Sequence, residues 1–298
     1  MAIRGGWAQA LAAALALTAA GPALAATAAD LFYERALMSA ADASCHLFQP
    51  DVSAALAASL AQARGAALRS GADPASLDAL AARASAAAAG AGCGSPSITA
   101  AAARVRDAFA GYAHLDQMEF PGELDSWTAL RPADDGVAHW RVVQNDRFGW
   151  NELKFGVAGR GEARALMAVA EFADGARPYG ARLVMRDASL TTGPFLDPGQ
   201  ADVNGRIPIA DRLPPRAATR VFNAEAMSPA GSDLAGRDRA GAWAFRFPEA
   251  AIDALQALDP REAVAVEFLL PGDEGVRTAY IEVGDFAAAR AFAEIAQR

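Results

Sequence analysis

The 298-residue chain contains almost no lysine. Lys154 is the only one, and apart from three histidines every other basic side chain is arginine. The formal charge of -8 leaves too few cations for the phosphate contacts on which nucleic-acid or anionic-membrane binding rests. Acidity of this size reads as solubility. After the N-terminal segment no stretch is long and apolar enough to span a bilayer, for which ~20 residues are needed. Catalytic signatures are missing as well. There is no Gly-x-Ser-x-Gly, which would expose a nucleophile, and no His-Glu-x-x-His, which would hold zinc. His46, His114 and His139 are scattered, and no two share a metal-ligand spacing. No motif asks for a cofactor, and none is expected.

The N-terminus carries the clearest pattern. Arg4 precedes an apolar run from Trp7 to Ala20, Gly21-Pro22 breaks it, and Ala23-Leu24-Ala25 is a small-x-small site. Only small side chains fit a signal peptidase beside the cut. Residues 1–25 are therefore expected as a cleaved signal peptide, with the mature chain periplasmic or secreted. The run is too short for an anchor, and no cysteine follows the cut to carry a lipid.

Two cysteines remain, Cys45 and Cys93. An even count in an oxidising compartment points to one disulfide. The helical pattern supports that pairing. Residues 26–115 read as a helical domain of four segments. Thr27 and Asp30 have capping-box spacing. Asp73-Pro74 and Ser95-Pro96 each place an N-cap before a first-turn proline. The fourth segment repeats Ile98, Ala102, Val105, Phe109 and Tyr112 as one apolar seam. Short loops make neighbouring helices antiparallel, which brings the end of the first helix and the third–fourth connection to the same end. A Cys45–Cys93 bond fits there, stapling an alanine-rich bundle that buries little area.

Residues 116–137 are rich in turn residues and read as a linker in which Phe120 and Trp127 pack. From 138 to 298 the apolar period shifts to two. Trp243, Phe245 and Phe247 alternate with Ala244 and Arg246, and Val264, Val266, Phe268 and Leu270 continue in the same manner. Two late helices follow Pro248 and Asp285. The expected class is α+β: a disulfide-stapled four-helix region, then an antiparallel β-rich domain with the late helices packed on it.

The candidate chemistry is sparse. Cys45-His46 resembles half of a c-type haem site, which needs a second cysteine where Asp42 stands. Residues 200–211 place Gln200, Asp202, Asn204 and Asp211 at the oxygen positions of a calcium loop, but without flanking helices. Gly159-Arg160-Gly161 leads into a strand-like stretch, so it reads as a hairpin turn. His139 is a candidate base with Asp146 as its orienter. Glu171, Glu267 and Glu282 are candidate paired carboxylates. Trp140, Trp150, Trp243 and Phe245 form a candidate ligand groove, with core packing as the alternative. The expectation is a non-catalytic binding or accessory protein of the cell envelope, with a protein or small-molecule partner. The alternatives are an extracytoplasmic hydrolase using carboxylates of the β-rich domain and a haem-bearing electron carrier.

Overall fold

The computed structural model describes residues 27–294 apart from 133–135, 162, 237–240 and 273–274. The expected signal peptide, residues 1–25, and Ile295 lie outside the described residues. Four helices open the chain: α1 (Ala28–Cys45), α2 (Pro50–Arg69), α3 (Pro74–Ala91) and α4 (Pro96–Phe109). Local chemistry sets where they start. Thr27 and Asp30 form a reciprocal capping box, Asp73 accepts from the Ser76 amide at 2.9 Å, and Ser95 accepts from the Ile98 amide at 3.2 Å. Pro50, Pro74 and Pro96 occupy first-turn positions, where a missing N–H costs nothing. Pro50 thus opens α2 as well as following α1. His46 ends α1 in a left-handed conformation, φ 51°. The expected disulfide is present: Cys45 and Cys93 are bonded, with Cα atoms 5.5 Å apart.

The rest of the chain builds two antiparallel sheets. The larger contains β1 (Gln117–Pro121), β2 (Ser126–Leu130), β3 (His139–Phe148), β4 (Asn151–Arg160), β5 (Ala163–Glu171), β8 (Ala226–Pro229) and β9 (Trp243–Phe247), in the order β1-β2-β3-β4-β5-β9-β8. The smaller contains β6 (Gly180–Arg186), β7 (Thr219–Asn223), β10 (Ala263–Leu269) and β11 (Val276–Glu282), in the order β11-β10-β6-β7. Alternation decides the burial. Phe245 and Phe247 of the larger sheet meet Leu183, Val266 and Phe268 of the smaller in one continuous core. Besides a single turn, α5 (Ser232–Ala235), the late helices are α6 (Ala250–Gln256) and α7 (Phe286–Ala293). Phe286 and Phe292 of α7 join the same core, where Phe286 meets Trp127 at 5.0 Å between ring centroids.

The stretch 116–137, read from sequence as a linker, holds two strands, β1 and β2. Trp127 and Ala129 are fully buried, and Phe120 pairs with Trp127 in register. These strands are only five residues long, and β1 ends in Pro121, so turn residues dominate the local pattern. The chain passes from the smaller sheet to the larger between β7 and β8, across Ala224 and Glu225.

Arg69 and Arg131 help to join the helices to the sheets, beside the ring contacts of Tyr112 with Phe109 and Phe292. Arg69 of α2 donates to both oxygens of Asp285, at 2.6 and 2.9 Å, just before α7. The elements meet closely because Gly65 faces Asp285: a Cβ there would lie 2.1 Å from Asp285 Oδ1. Arg131 donates to the carbonyls of Phe292 and Tyr112 and lies over the Phe292 ring at 3.6 Å. Burial around that contact pushes the Tyr112 phenol up to about 12.

Candidate functional site

A notch in the larger sheet creates the site. Strand β2 pairs with β3 only at Thr128–Val143 and Ala129–Val142. From Gln144 to Phe148, no strand among the described residues pairs with β3 on that side, while β4 continues to pair with it on the other. Even-numbered positions in this half of β3 face the smaller sheet. Gln144 exchanges hydrogen bonds with the Glu282 backbone, and Phe148 stacks on Phe268 at 5.3 Å. Asp146 stands between them.

Asp125 comes from the turn between β1 and β2. Glu282, fully buried, holds that turn through its carboxylate. It accepts from the amides of Glu123, Leu124 and Asp125 at 2.7, 2.8 and 2.9 Å. A carboxylate satisfied by three backbone donors is a rigid anchor. Arg212 closes the arrangement, with Glu123 at 3.2 Å and Glu282 at 3.7 Å. Arg212 belongs to the long segment between β6 and β7, which crosses the smaller sheet. Gly122 is required here because a Cβ would lie 2.5 Å from Glu282 Oε2.

Asp125 and Asp146 line two adjoining clefts. The first, about 490 Å³, runs over the outer face of the larger sheet past Glu152, Lys154, Val169 and Glu171. The second, about 430 Å³, opens between the sheets and adds Leu124, Phe148, Ile209 and Tyr280. Desolvation pushes the Asp146 carboxyl up to about 6; Asp125 adds to the rise, while a backbone hydrogen bond opposes it. Desolvation raises Asp125 as well. Neighbouring cations are paired elsewhere: Arg147 with Glu152 at 3.6 Å and Arg277 with Asp174 at 2.7 Å. Among the described residues, no Lys or Arg nitrogen lies within 4.0 Å of the Asp125 or Asp146 carboxylate. Lys154 sits half-buried in the first cleft, its Nζ 3.5 Å from the Leu234 carbonyl.

The candidate residues read from sequence are dispersed. Trp140 is buried on the outer face of the larger sheet, its indole N–H donating to Leu234 O at 3.0 Å. Phe245 and Trp243 face the opposite way, into or against the core between the sheets. Trp150 is 92% exposed at the β3–β4 turn. The four do not line one groove, because successive strand positions alternate between faces. Two of them are next to a cleft in the chain: Gly149 and Asn151, either side of Trp150, line the second, and Ala242, before Trp243, lines the first.

The three glutamates also part company. Glu267 pairs with Arg182 and Arg216, Glu282 anchors the turn, and Glu171 lines the first cleft opposite Glu152. His139 cannot be oriented by Asp146. Both lie on β3, seven residues apart, or roughly 23 Å of extended chain. In the calcium-like stretch, Asp202 spends its carboxylate on the Asn204 and Arg206 amides, and 3-10 turns stand where flanking helices are needed. Among the described residues, no group of three His, Cys, Asp or Glu could hold a metal ion. Cys45 is committed to its disulfide, which leaves no thiol for a haem thioether.

Sequence reasoning missed Asp125 altogether and gave Asp146 the wrong partner. Their convergence depends on where β2 stops pairing with β3, which no local pattern reports. No helix among the described residues is long and apolar enough to cross a membrane. No protein-family model, curated protein or solved structure matches the chain.

Proposed function

We propose that this chain is an exported envelope protein that works by binding, without chemistry of its own. Its ligand is small and carries a positive charge, and it binds where the two clefts meet at Asp125 and Asp146. One observation carries the reading: two desolvated carboxylates share a concave site in which no Lys or Arg among the described residues comes within ion-pairing distance of them. A cation entering the site replaces water around charges that the fold has already partly stripped. The apolar side of the second cleft, with Phe148 and Tyr280, suits the carbon frame of an organic ammonium ion. The disulfide and the signal-like N-terminus support an extracytoplasmic setting.

The test is a titration with a panel of mono- and diamines at pH 7.5, followed by amide chemical shifts. Binding is expected to shift residues 122–126 and 144–149, and Asp146→Asn is expected to weaken it at least about tenfold, the cost of losing one charged contact. An unchanged spectrum across the panel, or equal binding by Asp146→Asn, contradicts the proposal.

One observation favours a second reading, an extracytoplasmic hydrolase. A carboxyl lifted by burial to about 6, with a second carboxyl on the same cleft, is the kind of pair from which general acid–base catalysis is built. This reading moves the catalytic carboxylates from the three glutamates to Asp125 and Asp146. Turnover of a glycoside or ester that disappears in both Asp125→Asn and Asp146→Asn would select it over binding alone.

A further inference from the structure

We infer that β7 is the seam of a two-fold dimer, adding to β7 of a second copy to continue the smaller sheet across the pair. The hydrogen-bond phase of the β6–β7 ladder carries the argument. Ala224 N–H donates to Ala181 O and Asp187 N–H donates to Ala218 O, both at 2.9 Å. Antiparallel pairs alternate between bonded and non-bonded. With the register Leu183–Phe222 and Met185–Arg220, these even-numbered residues of β7 therefore bond to β6. Thr219, Val221 and Asn223 turn their backbone groups away from it. Thr219 N–H closes a turn onto Arg216 O, which leaves its carbonyl and both backbone groups of Val221 and Asn223 facing outward. Val221 is 43% exposed.

The other terminal strands are handled differently. In β11 the outward N–H and C=O of Glu282 are taken by the Gln144 side chain, and Thr278 and Tyr280, in the same phase, line the second cleft. Strand β1 ends in Pro121 and β8 in Pro229, and a proline has no N–H to offer a new neighbour. Strand β7 has no such block along Thr219-Arg220-Val221-Phe222-Asn223.

The strand is also self-complementary. A two-fold axis through Val221 sets it against the partner's Val221, apolar on apolar. It sets Thr219 against the partner's Asn223, hydroxyl on amide. It sets Arg220 against the partner's Phe222, cation on ring. Within one copy the Arg220 guanidinium already lies 4.8 Å from the Phe222 centroid, so the side chain is extended along that face. A one-residue slip places an outward-bonding residue against the wrong backbone phase, so the register is specified. Closed two-fold pairing is the commonest way in which copies of one chain associate. A five-residue seam is small for an interface, so the dimer is concentration-dependent.

Sedimentation of the disulfide-intact chain tests the inference. The expected result is a doubling of mass on going from about 1 to about 100 µM, the range in which small transient interfaces form. Val221→Pro removes an outward N–H that makes no bond to β6 and is expected to leave a monomer with unchanged circular dichroism. Mild oxidation of Val221→Cys is expected to yield a cross-linked 221–221 peptide by mass spectrometry. A chain that remains monomeric at about 100 µM with no such peptide overturns the inference. So does a dimer that persists undiminished in Val221→Pro.

Discussion

Between Thr27 and Phe109 the buried side chains fall into three small groups, centred on Phe32 with Leu68 and Leu77, on Met38 with Leu56, and on Ala41 with Ala88 and Ile98. Beyond Gln117 the sheets, α6 and α7 share one large core in which Trp127, Phe155, Phe268 and Phe286 touch through their rings or common neighbours. The contrast follows from composition. An alanine buries little area, whereas a fully buried phenylalanine or leucine is worth about 1.5–3 kcal/mol. The helical region therefore depends on covalent and ionic ties, and the β region on apolar packing. The site sits in the second region, which can hold strained charges because its packing is secure.

The comparison is broken most sharply by cutting the staple. Reduction, or the double replacement Cys45→Ser with Cys93→Ser, releases a loop spanning 48 residues. The expected loss is about 4 kcal/mol in the helical region. Thermal unfolding watched by far-ultraviolet circular dichroism should separate into two steps. The tryptophan signal, dominated by the β region, should keep its original midpoint. A single transition that falls as a unit would show that the two regions share one core. The next largest effect tests how they are joined. Arg69→Ala leaves Asp285 buried without its bidentate partner, in a carboxyl whose desolvation already pushes it up. Removing one member of such a buried pair costs about 3 kcal/mol. Calorimetry should then show the helical region uncoupling at lower temperature even with the disulfide intact.

Much of this division was legible in the chain. The capping residues Thr27, Asp73 and Ser95 announced three helix starts, and short loops between alternating helices brought Cys45 and Cys93 together. The alternation of Trp243, Phe245 and Phe247 marked a half-buried strand. What escaped was whatever depends on register. Strand β1 buries only Phe120, so it leaves no run of alternating apolar positions. Glu282 could be placed on a strand, but its role as anchor of the Glu123–Asp125 turn requires two segments 157 to 159 residues apart to meet. The four aromatics of the expected groove failed for a related reason: strand parity sends Trp140 and Phe245 to opposite faces.

The smallest of these effects bears most directly on the central claim, that Asp125 and Asp146 form the working site. Carboxylate carbon shifts of Asp146, followed from pH 3 to 8, report its proton directly. The expected midpoint is about 6, against an ordinary 3.8. Because the folded state holds this proton more tightly than the unfolded chain, the contribution to stability is complete below the ordinary value and is lost as pH rises through about 6. Asp146→Asn should thus stabilise the protein at pH 7 by about 1 kcal/mol, after allowing for screening of a carboxyl that keeps part of its surface in water. Asp125→Asn should lower the Asp146 midpoint, since one source of the rise is removed. An Asp146 midpoint near 4, unmoved by Asp125→Asn, would contradict the account, because the two carboxylates would then be ordinary surface groups.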